Sequence, residues 1–104
     1  MKIAISIKED SEKARIDSRF GRCQFFAIFD TVSKEIEFIK NTATNTTACD
    51  SPIAIKTLMD RNVSKVISTE FGPKAQLALE EHNIEMVVLQ DDNITLQEIL
   101  KKIR

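Results

Sequence analysis

The chain has 104 residues, of which 42% are hydrophobic, and its 15 basic residues nearly balance its 16 acidic ones. This length predicts one domain, residues 1–104, that exists as a monomer or a weak homodimer. The balanced charge gives no broad electrostatic reason to bind nucleic acid or an anionic membrane, and the apolar runs are too short to span a bilayer.

The N-terminal residues predict a strand rather than an export signal. Met1 to Ile7 alternate apolar and polar residues, and Lys8, Glu9 and Asp10 follow at once. A secretory signal needs a longer apolar segment. We therefore expect a cytoplasmic protein, in which the two cysteines are thiols rather than a disulfide.

Hydrophobic periodicity predicts the order β-β-β-α-β-α-β-α. The second strand is nearly all apolar, which indicates burial on both faces, whereas the third alternates charged and apolar residues, as an edge strand does. The helices begin with recognisable signals: Ser51-Pro52, Pro73, and a capping box from Thr95 to Glu98 with Ile94 and Ile99 as its hydrophobic staple. The predicted strands are 2–7, 24–29, 35–40, 63–69 and 84–89.

Chain order and handedness together predict the topology. The first three strands form an antiparallel meander, and right-handed crossovers then favour the strand order 3-2-1-4-5, with only strand 2 antiparallel. This is the arrangement of a ribonuclease H-like, three-layer α/β/α domain with a five-stranded mixed sheet. The loops 8–23, 40–50, 69–73 and 89–94 should meet at one edge of that sheet, where open α/β sheets bind ligands.

Two segments at that edge carry unusual composition. The connection between the first two strands is far longer than a hairpin needs, and it ends in the run from Ile16 to Cys23. The second segment, Phe71-Gly72-Pro73-Lys74, follows the fourth strand. Long ordered connections are often functional, and we expect Gly21 and Gly72 to mark turns that a side chain would obstruct.

The two cysteines are candidate metal ligands. Thiolates bind iron–sulfur clusters and zinc, but two distant cysteines are a weaker signal than paired motifs. The alternative is that Cys23 is a small buried residue at the start of a strand and Cys49 an ordinary loop thiol. Two thiols also leave a four-ligand site incomplete, so a bound cluster would need its own ligands, Asp50 or a second subunit.

The chain resembles the dinitrogenase iron–molybdenum cofactor biosynthesis family, which includes NifX-like carriers and the C-terminal domain of NifB proteins. The resemblance implies a non-catalytic carrier of an iron–sulfur or iron–molybdenum-type cluster or its precursor, related to nitrogen fixation, with cluster donor or acceptor proteins as partners. Its carrying residues are Met1-Lys2-Ile3-Ala4-Ile5, Ile16 to Cys23, Phe26-Ala27-Ile28-Phe29-Asp30 and Phe71-Gly72-Pro73-Lys74-Ala75.

Two positions depart from the family's pattern. Arg19 stands where relatives often have His, and a guanidinium does not ligate iron but can pair with an anionic cargo. The run Thr46 to Pro52 replaces a Gly-rich segment. The predicted cargo site consists of Arg19, Phe20, Gly21, Cys23, Cys49 and Gly72, with Cys23 and Cys49 as the metal ligands.

Two other functions compete with a carrier. A nuclease of this fold needs carboxylates on its central strand, but the first strand has none and Glu70 stands alone after the fourth. We therefore expect no enzymatic activity on nucleic acid. A regulatory or protein-interaction domain of the same fold, without cargo, remains the alternative.

Overall fold

The computed structural model describes residues 1–18, 20, 23–41, 51–91 and 93–103, with residues 51–53 described by their backbone alone. The eight predicted elements are present within these ranges. Their bounds are β1 (Lys2–Ile7), β2 (Phe25–Asp30), β3 (Ile36–Lys40), α1 (Ser51–Met59), β4 (Val63–Ser68), α2 (Pro73–Glu81), β5 (Glu85–Val88) and α3 (Leu96–Ile103).

The sheet has the predicted topology. Its strand order is β3-β2-β1-β4-β5. Strand β2 is antiparallel to both β1 and β3, whereas β4 is parallel to β1 and β5 is parallel to β4. The five-stranded mixed sheet of the sequence prediction is therefore confirmed, and the C-terminal ends of β1, β3, β4 and β5 lie at one edge.

The core has two parts, one on each face of the sheet. Alternate residues of β1 show the division: Ala4 packs with the side chains of α1 and α2, whereas Ile3 and Ile5 pack with those of α3. All three are at most 3% exposed. Helices α1 and α2 thus cover one face and α3 the other, which gives the three-layer arrangement.

The β1–β2 connection (residues 8–24) begins as part of the α3 layer. The Ile16 amide donates to the carbonyl of Ile94 at 2.9 Å, and the Leu96 amide donates to the carbonyl of Ala14 at 2.8 Å. Ala14 and Ile16 are buried in the α3-side core. The first half of the connection (residues 8–17) is therefore a structural cover, a role that its composition did not reveal.

The start of α3 matches its sequence prediction. The Thr95 amide donates to a carboxylate oxygen of Glu98 at 3.2 Å, and the Glu98 amide donates to the Thr95 hydroxyl at 3.3 Å. This is the reciprocal capping box. Ile94 and Ile99, the predicted staple, are both buried in the α3-side core.

The turn between α2 and β5 is closed by an asparagine in the left-handed region. Asn83 has φ 58°. Its amide donates to the carbonyl of Glu80 at 3.1 Å, and the next amide, of Ile84, donates to that of Leu79 at 2.9 Å. These two bonds form a Schellman motif, and Ile84 and Leu79 are buried together. The motif fixes the direction in which the chain enters β5.

Candidate functional site

The candidate site lies at the edge of the sheet where β1, β3, β4 and β5 end. Strand β3 ends there at Lys40, and the β4–α2 and β5–α3 connections begin there too. The sequence predicted this gathering of loops from strand directions, and the strand pairing confirms the directions.

Two phenylalanines join the two sequence motifs at this edge. The rings of Phe20 and Phe71 lie 5.4 Å apart between centroids, and Phe20 also packs on Phe26 of β2 at 5.7 Å. Phe20 is 2% exposed and Phe71 8%. Tilted rings at these separations attract each other beyond the burial of area. Phe20 therefore lies in the core between the sheet and helices α1 and α2, where it supports the sheet edge.

Cys23 is fully buried beneath the same edge. Its exposed fraction is 0%, and its thiol donates a hydrogen bond to the carbonyl of Phe20 at 3.4 Å. Cys23 belongs to the core cluster that contains Phe20 and Phe26. Buried structural cysteines are generally unreactive. This conformation favours the packing role for Cys23, and its metal-ligand role stays a prediction that requires the buried thiol to become exposed.

Asn41 is a buried polar residue that sequence reasoning missed. Its side-chain amide donates to the carbonyl of Cys23 at 2.9 Å and lies 3.8 Å from the sulfur, and its exposed fraction is 0%. Its backbone amide donates to the carbonyl of Gln24 at 3.0 Å. Asn41 thus ties the end of β3 to the approach to β2, at the base of two loops. In the sequence it looked like the first residue of a polar loop.

A second buried polar cluster lies at the ends of β1 and β4. The hydroxyl oxygens of Ser6 and Ser68 are 3.0 Å apart, and they lie 2.7 Å and 3.2 Å from the backbone oxygen of Asp17. The Asp17 amide donates back to the carbonyl of Ser6 at 2.8 Å. All three residues are at most 1% exposed. This cluster fixes the point where the β1–β2 connection crosses from one face of the sheet to the other.

Gly72 caps the first turn of α2 with ordinary backbone geometry. It has φ −69° and ψ 163°, and an added Cβ would have nothing within 4 Å. The expectation that a side chain would obstruct this turn was wrong, because any residue adopts this extended conformation. Pro73 follows at the first helical position, as predicted. Gly72 thus lies at the predicted edge, but its site role stays a prediction.

Two adjoining grooves open between the end of β4 and the end of β5. Each has a volume of about 440 Å³, and Thr69, Glu70 and Val88 line both of them. The Thr69 hydroxyl oxygen is buried without a hydrogen-bond partner among the described residues. Glu70 is an acidic residue in the lining of both grooves, and Phe71 and Met86 add apolar lining to one of them.

Part of the predicted cargo site falls outside the described residues. Arg19, Gly21 and Cys49 belong to this part, as do Arg22 and the rest of 42–50. Within the described part of the chain, no three His, Cys, Asp or Glu side chains come together in a group that would hold a metal ion. The described side chains therefore supply the frame of the edge rather than a complete ligand set.

The comparison with protein families decides the affiliation. The model of a family described as "Dinitrogenase iron-molybdenum cofactor" matches residues 1–104. The chain belongs to this family. The resemblance seen in the sequence is therefore confirmed over the full length given. A comparison with curated proteins found no significant match.

Solved structures share the fold of this member of the dinitrogenase iron–molybdenum cofactor family. An NMR structure of a NifB-like protein from Thermotoga has a TM-score of 0.81 at 22% identity, covering 96% of this chain and 84% of that one. The apo form of the orange protein from Desulfovibrio gigas has a TM-score of 0.86 at 23% identity, covering 97% and 84%. At these identities the likeness establishes the fold alone.

The helices were also compared with the dimensions of a bilayer. None of those in the described ranges combines the length and the apolar character that a membrane span requires.

Proposed function

We propose that this protein is a non-catalytic carrier, which holds an iron–sulfur or iron–molybdenum-type cluster or its precursor for transfer between donor and acceptor proteins. The observation that carries this proposal is the contact between Phe20 and Phe71, because it brings the two family motifs to one edge of the sheet. Family membership supplies the class of cargo.

The residues of the proposed cargo site fall into two groups, those buried beneath the sheet edge and those proposed to contact the cargo. Phe20 and Cys23 are buried, so they shape the edge from below. Arg19 and Arg22 flank Phe20-Gly21 in the sequence, and their positive charges would offset the negative charge of a sulfide-rich cluster. Cys49 lies in the connection whose two ends meet this edge, and we propose it as the principal thiolate ligand. The full burial of Cys23 is the reason for preferring Cys49 to it.

Labile binding follows from this division. One or two protein thiols leave most coordination positions of a cluster to its own sulfides or to a partner, and a carrier must release what it holds. The described residues include no group of three His, Cys, Asp or Glu side chains that would tighten the site. Binding and release exchange metal–ligand bonds, and no step of the proposed function requires the protein to catalyse a reaction.

The test is anaerobic titration of the purified protein with a cluster donor, followed by visible absorbance and iron counting. We expect Cys49→Ser to lower iron uptake strongly at unchanged melting temperature. Cys23→Ala should keep most of the uptake while lowering stability, because it removes a buried sulfur. Arg19→Ala should weaken uptake modestly and more at low salt. Thr47→Ser, close to Cys49 in the chain, is the control.

A regulatory or protein-interaction domain without cargo is the second candidate. The full burial of Cys23 favours it, since that thiol is enclosed by protein in this conformation. Equal iron uptake by the wild type and the Cys23→Ser, Cys49→Ser double variant, or no uptake by either, would exclude the thiol-ligand carrier and support this second function.

A further inference from the structure

The two edges of the sheet differ in how they are protected. At the β3 edge, Glu37 is paired with Arg61, and Lys34, Glu35 and Lys40 add charges of both signs. Charged side chains of this kind discourage the pairing of an edge with another chain. Strand β5 has one charged residue, Glu85, whose carboxylate is already paired with Lys65 at 3.0 Å. The β5 edge is therefore the less protected of the two.

The hydrogen bonds of β5 show which of its backbone groups are available. The Leu89 amide donates to the carbonyl of Ser68 in β4 at 3.0 Å. Alternate residues of a strand direct their amide and carbonyl groups to opposite sides, so Val87 also points to β4, whereas Met86 and Val88 point away from it. Among the described strands β5 pairs with β4 alone. The backbone amide and carbonyl groups of Met86 and Val88 therefore point to the open edge, where they can donate and accept hydrogen bonds.

The charge around β5 selects the kind of partner. Between Lys74 and Lys101 the sequence has no Lys or Arg, and its acidic residues there are Glu80, Glu81, Glu85, Asp91, Asp92 and Glu98. Glu80 and Glu81 precede β5 and are exposed, and Asp91 follows it and is exposed as well. Pairing with a second copy of this chain would bring two acidic segments together, which is unfavourable. A basic segment meets attraction at both ends of the strand.

The groove beside β5 adds a place for one basic side chain. Phe71, Met86 and Val88 give it apolar walls, and the acidic residue Glu70 is part of the same lining. A lysine side chain matches this combination, since its stem is apolar and its end is charged. Val88 is 55% exposed, so the wall next to the open backbone is accessible.

We propose that the outer edge of β5 binds an extended, basic segment of a partner protein as a sixth strand, with a lysine of that segment beside Glu70. Main-chain hydrogen bonds to Met86 and Val88 would provide the affinity, and the acidic surroundings would provide the selectivity. This surface contains neither cysteine, so the proposal is independent of whether the protein carries a cluster.

The experiment uses the full chain, free of metal, with isotope-labelled amides and a capped synthetic peptide in which Val and Lys alternate. We expect the peptide to shift the amide resonances of Met86 and Val88 and to slow their hydrogen exchange. A peptide of alternating Val and Glu, and the Val–Lys peptide N-methylated at every second residue, should bind at least about tenfold more weakly, since they lose the charge attraction or the ladder bonds.

Matched variants locate the surface. Val88→Pro removes an amide that points away from β4, so the bonds between β4 and β5 are kept, and edge strands tolerate proline at such a position. This variant should lower the peptide affinity about tenfold. Val88→Thr keeps the amide and should not change the affinity. Glu70→Gln should lower the affinity about two- to threefold at low salt, and Glu35→Gln at the β3 edge should not.

Four results would overturn the proposal: no binding of the Val–Lys peptide, equal binding of the Val–Glu peptide, resonance shifts confined to residues outside β5 and its groove, or concentration-dependent self-association through β5. The N-methylated peptide tests the backbone pairing even if Val88→Pro does not fold.

Discussion

The two halves of the β1–β2 connection have different roles, although they are continuous in sequence. Residues 8–17 are bonded to α3 and its approach, and Ile16 lies in the α3-side core. After Asp17 the chain crosses the end of β1, and Phe20 and Cys23 lie in the core under α1 and α2. The length of this connection alone suggested function throughout. The comparison shows that half of the length is used to complete a layer.

The largest expected effect comes from breaking the first half. Ile16→Ala removes a side chain that is 1% exposed, and it should lower the free energy of unfolding by about 2–5 kcal/mol. Denaturant unfolding measures this change. Leu77→Ala removes an apolar side chain that is 62% exposed, and it should cost less than about 0.5 kcal/mol. If both variants lost the same stability, residues 8–17 would not be a structural cover.

The second effect concerns the base of the other half. Asn41→Ala leaves the buried carbonyl of Cys23 without its side-chain donor, which should destabilise the protein by about 1–3 kcal/mol. The rate of hydrogen exchange should increase more at the Phe26 amide than at the Ile16 amide. Gln24→Ala, which shortens a neighbouring exposed amide side chain, is the control. Wild-type stability in Asn41→Ala would contradict the proposed tie between β3 and the β2 approach.

The smallest effect tests the link between α3 and the first half. Thr95→Ala removes the hydroxyl that caps α3, and it should cost about 1 kcal/mol, while Thr95→Ser should cost only a few tenths. Because the Ile16 amide bonds to Ile94, exchange of that amide should rise in Thr95→Ala. The Asn41 amide, on the other side of the crossing point, should be unchanged. Equal acceleration of both amides would show that the two halves are one cooperative unit.

Local patterns predicted the frame of this protein but only part of its site. Strand directions placed the loops at one edge, and spacing identified the capping box of α3. The roles of Asn41, Ser6 and Ser68 were missed, because a polar side chain carries no local sign of being buried; only its partners from distant strands decide that. Cys23 shows the opposite difficulty. From the sequence alone a cysteine can be interpreted as a metal ligand or as a core residue, and only its surroundings in the fold distinguish the two.

The sequence by itself determined the element order, the mixed sheet and the family, because apolar periodicity, helix caps and the motif residues are properties of short segments. Tertiary structure decided which motif residues face inward, where the long connection changes face, and which of the two sheet edges is less protected by charged side chains. These depend on contacts between residues far apart in the chain, such as Phe20 with Phe71 and Ser6 with Ser68. The burial of a side chain and its hydrogen-bond partners depend on the packing of the whole domain. They distinguish residues that support the fold from residues that are accessible to a cargo or a partner protein.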